Sequence, residues 1–253
     1  MDPVTISGVA TFETEAVVLR GIRYSEADVV LALFSRSHGR VSAIAKGARR
    51  TTSKLGGRLQ PGVTASVTIH EGRGDLGTIR GASVVDAHAG LWVAGHRLQA
   101  AACVLETVMR VMPEAEPSEE TWHLLDRTLG LLARADPAGP GPARLHPLVL
   151  GCQAKLLVVS GLLPVLGACV RCGSGGPLTG FSAQAGGVLC DACGTGAERV
   201  EAPAVTALAG LVGRPLAEAV DAVPAPAAAG VERMIGLVLR EHLGVNLRSA
   251  APL

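Results

Sequence analysis

Aromatic side chains are scarce. The 253-residue chain has three phenylalanines, two tryptophans and one tyrosine, so a ligand face built on ring stacking has few residues to draw on. Long apolar runs are lacking too. The longest apolar stretch without charge, Leu156 to Val170, is 15 residues long and contains Pro164, whereas a membrane-spanning helix needs about 20. It reads as a buried helix that stops. The mean hydropathy of +0.37 reflects an alanine-rich composition rather than membrane-spanning bulk. Met1 to Phe12 has no basic stretch and no long apolar core, so no signal peptide is expected. The sequence has no Walker A motif and no H-E-x-x-H zinc motif. No nucleophile, base and orienting group come together, and no enzymatic activity is expected. With 48% hydrophobic and 18% charged residues, disorder is excluded. The length suits one large domain or two small ones.

The net charge of +1 argues against a polyanionic partner, but the charge is unevenly placed. Residues 1–85 hold eleven Lys/Arg against seven Asp/Glu, a balance of +4. Residues 86–165 balance at −2 and residues 166–253 at −1. Between Asp28 and Glu71 there is no acidic residue, while Arg36, Arg40, Lys46, Arg49, Arg50, Lys54 and Arg58 are all present. Charges more than about 8 Å away are largely screened at physiological salt. A local basic surface therefore attracts polyanions whatever the rest of the chain carries. The competing reading is a solvated basic face with no partner.

The first 88 residues read as five short strands: Glu15 to Arg20, Asp28 to Ser35, Val41 to Ala48, Val63 to His70 and Thr78 to Val85. Turn residues recur between them. The long third connection, residues 49–61, fits the five-stranded OB-fold, which often binds oligonucleotides. Gly72-x-Gly74-x-x-Gly77 has the letters of a dinucleotide fingerprint. That motif must open a helix, and here a strand follows, so a hairpin turn is expected. From about residue 89 the apolar period becomes helical, giving an α+β chain with domains at 1–88 and 89–253. Ser118 reads as an N-cap followed by Glu119 and Glu120, with Trp122, Leu125, Leu129 and Leu132 as the buried stripe. Asp136 to Arg144 reads as a loop and Pro147 as a first helical turn. Pro224 to Ala229 reads as a linker before a final helix containing Val231, Met234, Ile235, Val238 and Leu239.

Four of the six cysteines form Cys169-x2-Cys172 and Cys190-x2-Cys193, inside an insertion at about 165–200. Each pair is followed by glycine, Gly173 or Gly194, and the spacing is that of a two-knuckle zinc site. Four sulfur ligands close a tetrahedral shell and leave no place for water, so one structural Zn2+ per chain is expected. A disulfide framework does not suit a chain of this size without a secretory signal, and a redox dithiol needs one pair, not two. Cys103 and Cys152 lie on apolar helical stripes and read as core.

Several segments resemble a known family. Ala16-Val-Val-Leu-Arg20, Ser25-Glu-Ala-Asp28, Leu33-Phe-Ser-Arg36, His38-Gly-Arg40 and Ala45-Lys-Gly-Ala-Arg-Arg50 resemble, in order and spacing, the N-terminal OB-fold of the bacterial DNA repair family RecO. The helical region, the four-cysteine insertion and Leu243-Gly to Arg248-Ser249 also fit, so the resemblance covers nearly the whole chain. It implies a recombination mediator that binds single- and double-stranded DNA and anneals complementary strands. It also implies work with RecR to help RecA replace single-strand binding protein, contact with that protein's tail, and a cytoplasmic, nucleoid-associated location. Two departures stand out. Residues 1–11 form an extension with no assigned role, and some members lack the cysteine knuckles, which marks the metal as scaffold.

The expected DNA contacts are Arg36, Arg40, Lys46, Arg49, Arg50, Lys54 and Arg58, with Tyr24 as the stacking residue and Phe34 in the core. With so few aromatics, phosphate contacts should dominate and sequence should matter little. The alternative is an OB-fold and zinc-ribbon interaction protein acting on RNA or in transcription.

Overall fold

The computed structural model describes residues 11–72, 76–135 and 145–247. The start of the N-terminal extension, the middle of the glycine motif (residues 73–75), the expected Asp136 to Arg144 loop and the Arg248-Ser249 end of the family resemblance lie outside the described residues. The described residues divide into two compact units. One comprises those up to Ala89 together with Pro113–Trp122. The other comprises Gly90–Met112 and the residues from His123 onward.

The first unit is a closed barrel of β1 (Thr11–Arg23), β2 (Val29–Ser35), β3 (Gly39–Ala45), β4 (Thr64–His70) and β5 (Gly77–Asp86), in the order β1-β2-β3-β5-β4. β4 returns to pair with β1, and a parallel pairing of β3 with β5 closes the ring. This is the OB-fold topology. β1 makes closure possible because it serves two neighbours. Thr11 to Val17 pair with β4, Ala16 to Arg23 pair with β2, and the register slips between Val18 and Arg20. Such a bulge bends a strand around a barrel corner. Thr11 and Phe12, on the edge of the expected extension, are strand residues opposite His70 and Ile69.

Alternation sends small and branched side chains inward. Ala16, Val18, Leu31, Leu33, Ala43, Ala45, Val67 and Ile69 form the barrel core. The β3–β4 connection contains no helix. It is a run of turns that plugs one end of the barrel with Ala48, Leu55, Leu59 and Val63. Gly56 lies so close to Ala48 that a Cβ would sit 2.3 Å from the Ala48 carbonyl oxygen. Gly77 opens strand β5 rather than a helix, as expected for the glycine motif.

The second unit contains α1 (Gly95–Val111), most of α2 (Glu119–Arg134) and α3 (Pro147–Val159), then the small strands β6 (Leu178–Ser182), β7 (Gly187–Cys190) and β8 (Glu198–Arg199). After these come α4 (Ala202–Gly213), α5 (Ala219–Ala222) and α6 (Ala225–Leu243). α3 is the centre: almost every residue from Pro147 to Leu157 is buried, and it packs against α1, α4, α5 and α6. The expected α2 stripe of Trp122, Leu125, Leu129 and Leu132 is buried, and Ser118 Oγ accepts the Thr121 N–H at 3.2 Å as an N-cap. Arg97 donates to the carbonyls of Ala133 and Ala135, which places a cation at the C-terminal end of α2.

The expected linker Pro224 to Ala229 is instead the start of α6, with Ala227 and Ala228 buried. Proline lacks an N–H, which is no loss in a first turn, and alanine is the best helix former. Among the described residues no single helix is long and apolar enough to cross a membrane.

Candidate metal centre and nucleic-acid interface

β6 and β7 form a hairpin held by buried Phe181, Val188 and Leu189. Its second strand ends at Cys190, so the second knuckle starts where the ladder stops. There the N–H groups of Cys193 and Gly194 donate to the Cys190 carbonyl at 3.1 and 2.8 Å. In the first knuckle the Gly173 N–H donates to the Cys169 carbonyl at 2.8 Å, and Gly173 has φ +72°, a conformation that favours glycine. Arg171 ties the turns together by donating to the Cys193 carbonyl at 3.1 Å.

These turns bring the four expected sulfurs together. All lie within 4.8 Å of one another, and Cys172 and Cys190 are 3.7 Å apart. A tetrahedron with Zn–S bonds of about 2.3 Å places its sulfurs about 3.8 Å apart. The donor set therefore fits a closed four-thiolate shell, and the cluster can hold a metal ion. Backbone hydrogen bonding, chiefly from Cys190, pulls the Cys169 thiol down to about 6, so it readily supplies a thiolate. Hydrogen bonding with the Cys190 and Cys172 side chains pushes Cys193 up to about 12. Crowded sulfurs share protons in this way until a cation replaces them. Cys103 and Cys152 are fully buried, and burial pushes the Cys152 thiol up to about 12.

The basic residues fall into two groups. Arg36 and Arg40 face an acidic segment of the same unit. The Arg36 guanidinium donates to Glu119 at 2.6 Å and lies 5.1 Å over the Trp122 ring, and Glu119 raises its pKa. Arg40 pairs with Glu114 at 3.0 Å. The backbone is joined as well, because the Ala115 N–H donates to the Arg40 carbonyl at 3.0 Å. Gly39, between them, has φ +65°, and a Cβ there would sit 2.1 Å from the Glu116 carbonyl oxygen.

The second group is Lys46, Arg49, Arg50, Lys54 and Arg58, all exposed on the β3–β4 connection. Lys46, Arg50 and Lys54 make no side-chain hydrogen bond or ion pair among the described residues. Arg49 donates to the carbonyls of Glu26 and Ser25, and Arg58 to that of Ala82. Neutral carbonyls fix these guanidiniums without cancelling their charge. The Gly47 N–H donates to Asp28 at 2.7 Å and the Arg49 N–H to the Ala27 carbonyl at 2.9 Å. The connection is thereby tied to the β1–β2 turn that carries Tyr24, which is 67% exposed. Phe34 is fully buried.

One cation was not anticipated. Arg23, with Arg49, lines a concavity of about 440 Å3 at the plugged end of the barrel. Alternation could not place it, because the slip between Val18 and Arg20 reverses the parity of β1. The available hint was that the strand continues past Arg20.

The family model described as recombination protein O N terminal matches residues 9–88, and that described as recombination protein O C terminal matches residues 94–251. A DNA repair protein RecO from Anaeromyxobacter dehalogenans is 34% identical over 255 residues, covering 98% of this chain and 94% of that protein. One from Rubrobacter xylanophilus is 34% identical over 251 residues, 97% and 96% of the two chains. One from Frankia casuarinae is 38% identical over 205 residues, 79% and 81% of the two chains. A closed five-stranded barrel, a helical unit with a four-cysteine cluster and two family matches that together span nearly the whole length lead to one assignment: the chain belongs to the RecO family of DNA repair proteins.

Proposed function

We propose that the chain is a recombination mediator that works without catalytic turnover. It binds single- and double-stranded DNA, anneals complementary strands and, with RecR, helps load RecA onto DNA coated by single-strand binding protein. The observation that carries this reading is the set of five cations, Lys46 to Arg58, on one connection of an OB-fold with no carboxylate partner. Phosphate contacts of this kind hold a strand without reading it. Two strands held so are free to slide until they pair. The metal in the cysteine cluster is zinc, one per chain, and its role is to hold the insertion folded. For the tail of single-strand binding protein, the helical unit offers a concavity of about 410 Å3 lined by Ile235, Leu239, Val245, Arg233 and Arg240. The chain works in the cytoplasm, at the nucleoid.

The test is annealing of fluorescent complementary strands, with and without single-strand binding protein. Replacing Arg49, Arg50 and Lys54 together by glutamine is expected to weaken single-strand affinity at least about tenfold and to slow annealing in parallel. Unchanged affinity and annealing would overturn the surface assignment. Stronger competition by RNA than by single-stranded DNA, with no RecR capture, would favour an RNA-binding interaction protein.

A further inference from the structure

Three concavities can be compared by what lines them. The one in the helical unit includes Glu232, and the one beside β3 and β4 includes Glu71 and Glu114. The third, at the plugged end of the barrel, has no carboxylate in its lining. Its charged residues are Arg23 and Arg49, its amide is Gln60, and Val29, Leu31 and Leu59 contribute apolar surface.

This lining has a specific chemistry. An apolar concavity with two guanidiniums in its lining suits a ring that carries anionic groups. The Gln60 amide nitrogen donates to the Gly56 carbonyl at 2.6 Å, which leaves its oxygen as an acceptor. Arg49 is held by the carbonyls of Ser25 and Glu26 and keeps its full charge. Arg23 is exposed, with no side-chain partner among the described residues. No aromatic ring lines the concavity, and Tyr24 stands exposed on the next residue of the chain.

We propose that this concavity takes one unstacked nucleobase of a single strand, with Arg23 and Arg49 on the phosphates either side of it. The inference rests on the DNA-binding reading above and sharpens it, because it makes the barrel end selective. A base in a duplex is paired and stacked, and taking it out costs a few kcal/mol. A base in a single strand pays much less. The concavity therefore favours single strands, whereas the lysines and arginines of the β3–β4 connection hold either form of DNA. With Gln60 the one amide side chain in an otherwise apolar and cationic lining, edge readout is slight and the preference among bases stays small.

The experiment uses the full chain, a single strand carrying 2-aminopurine, and its duplex. The fluorescence of 2-aminopurine is expected to rise when the single strand binds, since the base leaves its stack for a site with no ring to quench it. Arg23→Gln is expected to weaken single-strand binding about tenfold and to make the salt slope shallower by about 0.7. Duplex affinity should stay within about twofold. Arg80→Gln removes the same charge from an exposed position on β5 and should leave the single-strand preference unchanged. Three outcomes overturn the nucleobase site: no rise in fluorescence, equal loss for both DNA forms in Arg23→Gln, or an equal effect from Arg80→Gln. Absence of any DNA binding by the unaltered chain would instead sink the DNA-binding reading itself.

Discussion

His146 starts α3 with its ring. Its Nδ1 accepts the Leu148 N–H at 3.1 Å, and Pro147, the first helical residue, has no N–H to satisfy. Only the neutral imidazole can accept, and burial first, then the charge of His96, lowers its pKa below the ordinary 6.5. Between the lowered folded value and 6.5 the unfolded chain binds more protons, so stability rises with pH across that window. The cap contributes fully above pH 6.5 and is lost as pH falls below it. Asparagine is a good N-cap that does not titrate. In thermal melts, the unaltered chain is expected to lose more stability than His146→Asn between pH 7.5 and pH 5. A difference independent of pH would reject the neutral-ring cap.

At the scale of elements, two segments stand out. The acidic stretch running from Glu114 into the first turn of α2 lies against the corner between β2 and β3 and neutralises two of seven basic residues. Exposed ion pairs are individually weak, so the segment is held mainly by its backbone bond to Arg40 and by Trp122 under Arg36. On the proposed DNA-binding reading, its carboxylates compete with phosphate for Arg36 and Arg40. Glu114→Gln with Glu119→Gln is expected to raise DNA affinity a few-fold and steepen the salt slope, as measured by titration at several salt concentrations. The other segment is the cysteine insertion. Elemental analysis should find about one zinc per chain. Chelation under reducing conditions should expose residues 165–200 to protease, because metal binding is folding energy for such knuckles. A metal-free, reduced insertion that resisted protease would reject the structural role.

For the whole molecule, a net charge of +1 describes no particular surface. In the first unit Lys46, Arg49, Arg50, Lys54 and Arg58 have no carboxylate partner, whereas Arg36 and Arg40 at the neighbouring corner are already paired. These five together with Arg23, each on one phosphate, predict a slope of log affinity against log salt of about −4.2 on single strands, or a loss of roughly three hundredfold between 50 and 200 mM. A slope of about −5.6 would mean that Arg36 and Arg40 leave their glutamates and engage as well.

Sequence by itself determined what depends on local spacing. The cysteine cluster follows from two short turns, the buried stripe of α2 from a helical period, and the barrel core from alternation. It also located the basic stretch, since charge composition is read directly. Where opposite charges meet is set by tertiary structure. Glu114 and Glu119 stand some eighty residues from Arg36 and Arg40, and nothing in their local pattern pairs them. The same holds for Arg23. A slip in the register of β1 turns it toward the end of the barrel, beside Arg49. The α6 start at Ala225 belongs here too: an alanine- and proline-rich stretch is linker or helix by propensity alone, and burial of Ala227 and Ala228 decides it. Local chemistry names the groups, but only the closure of the chain on itself decides which charges are cancelled and which face a ligand.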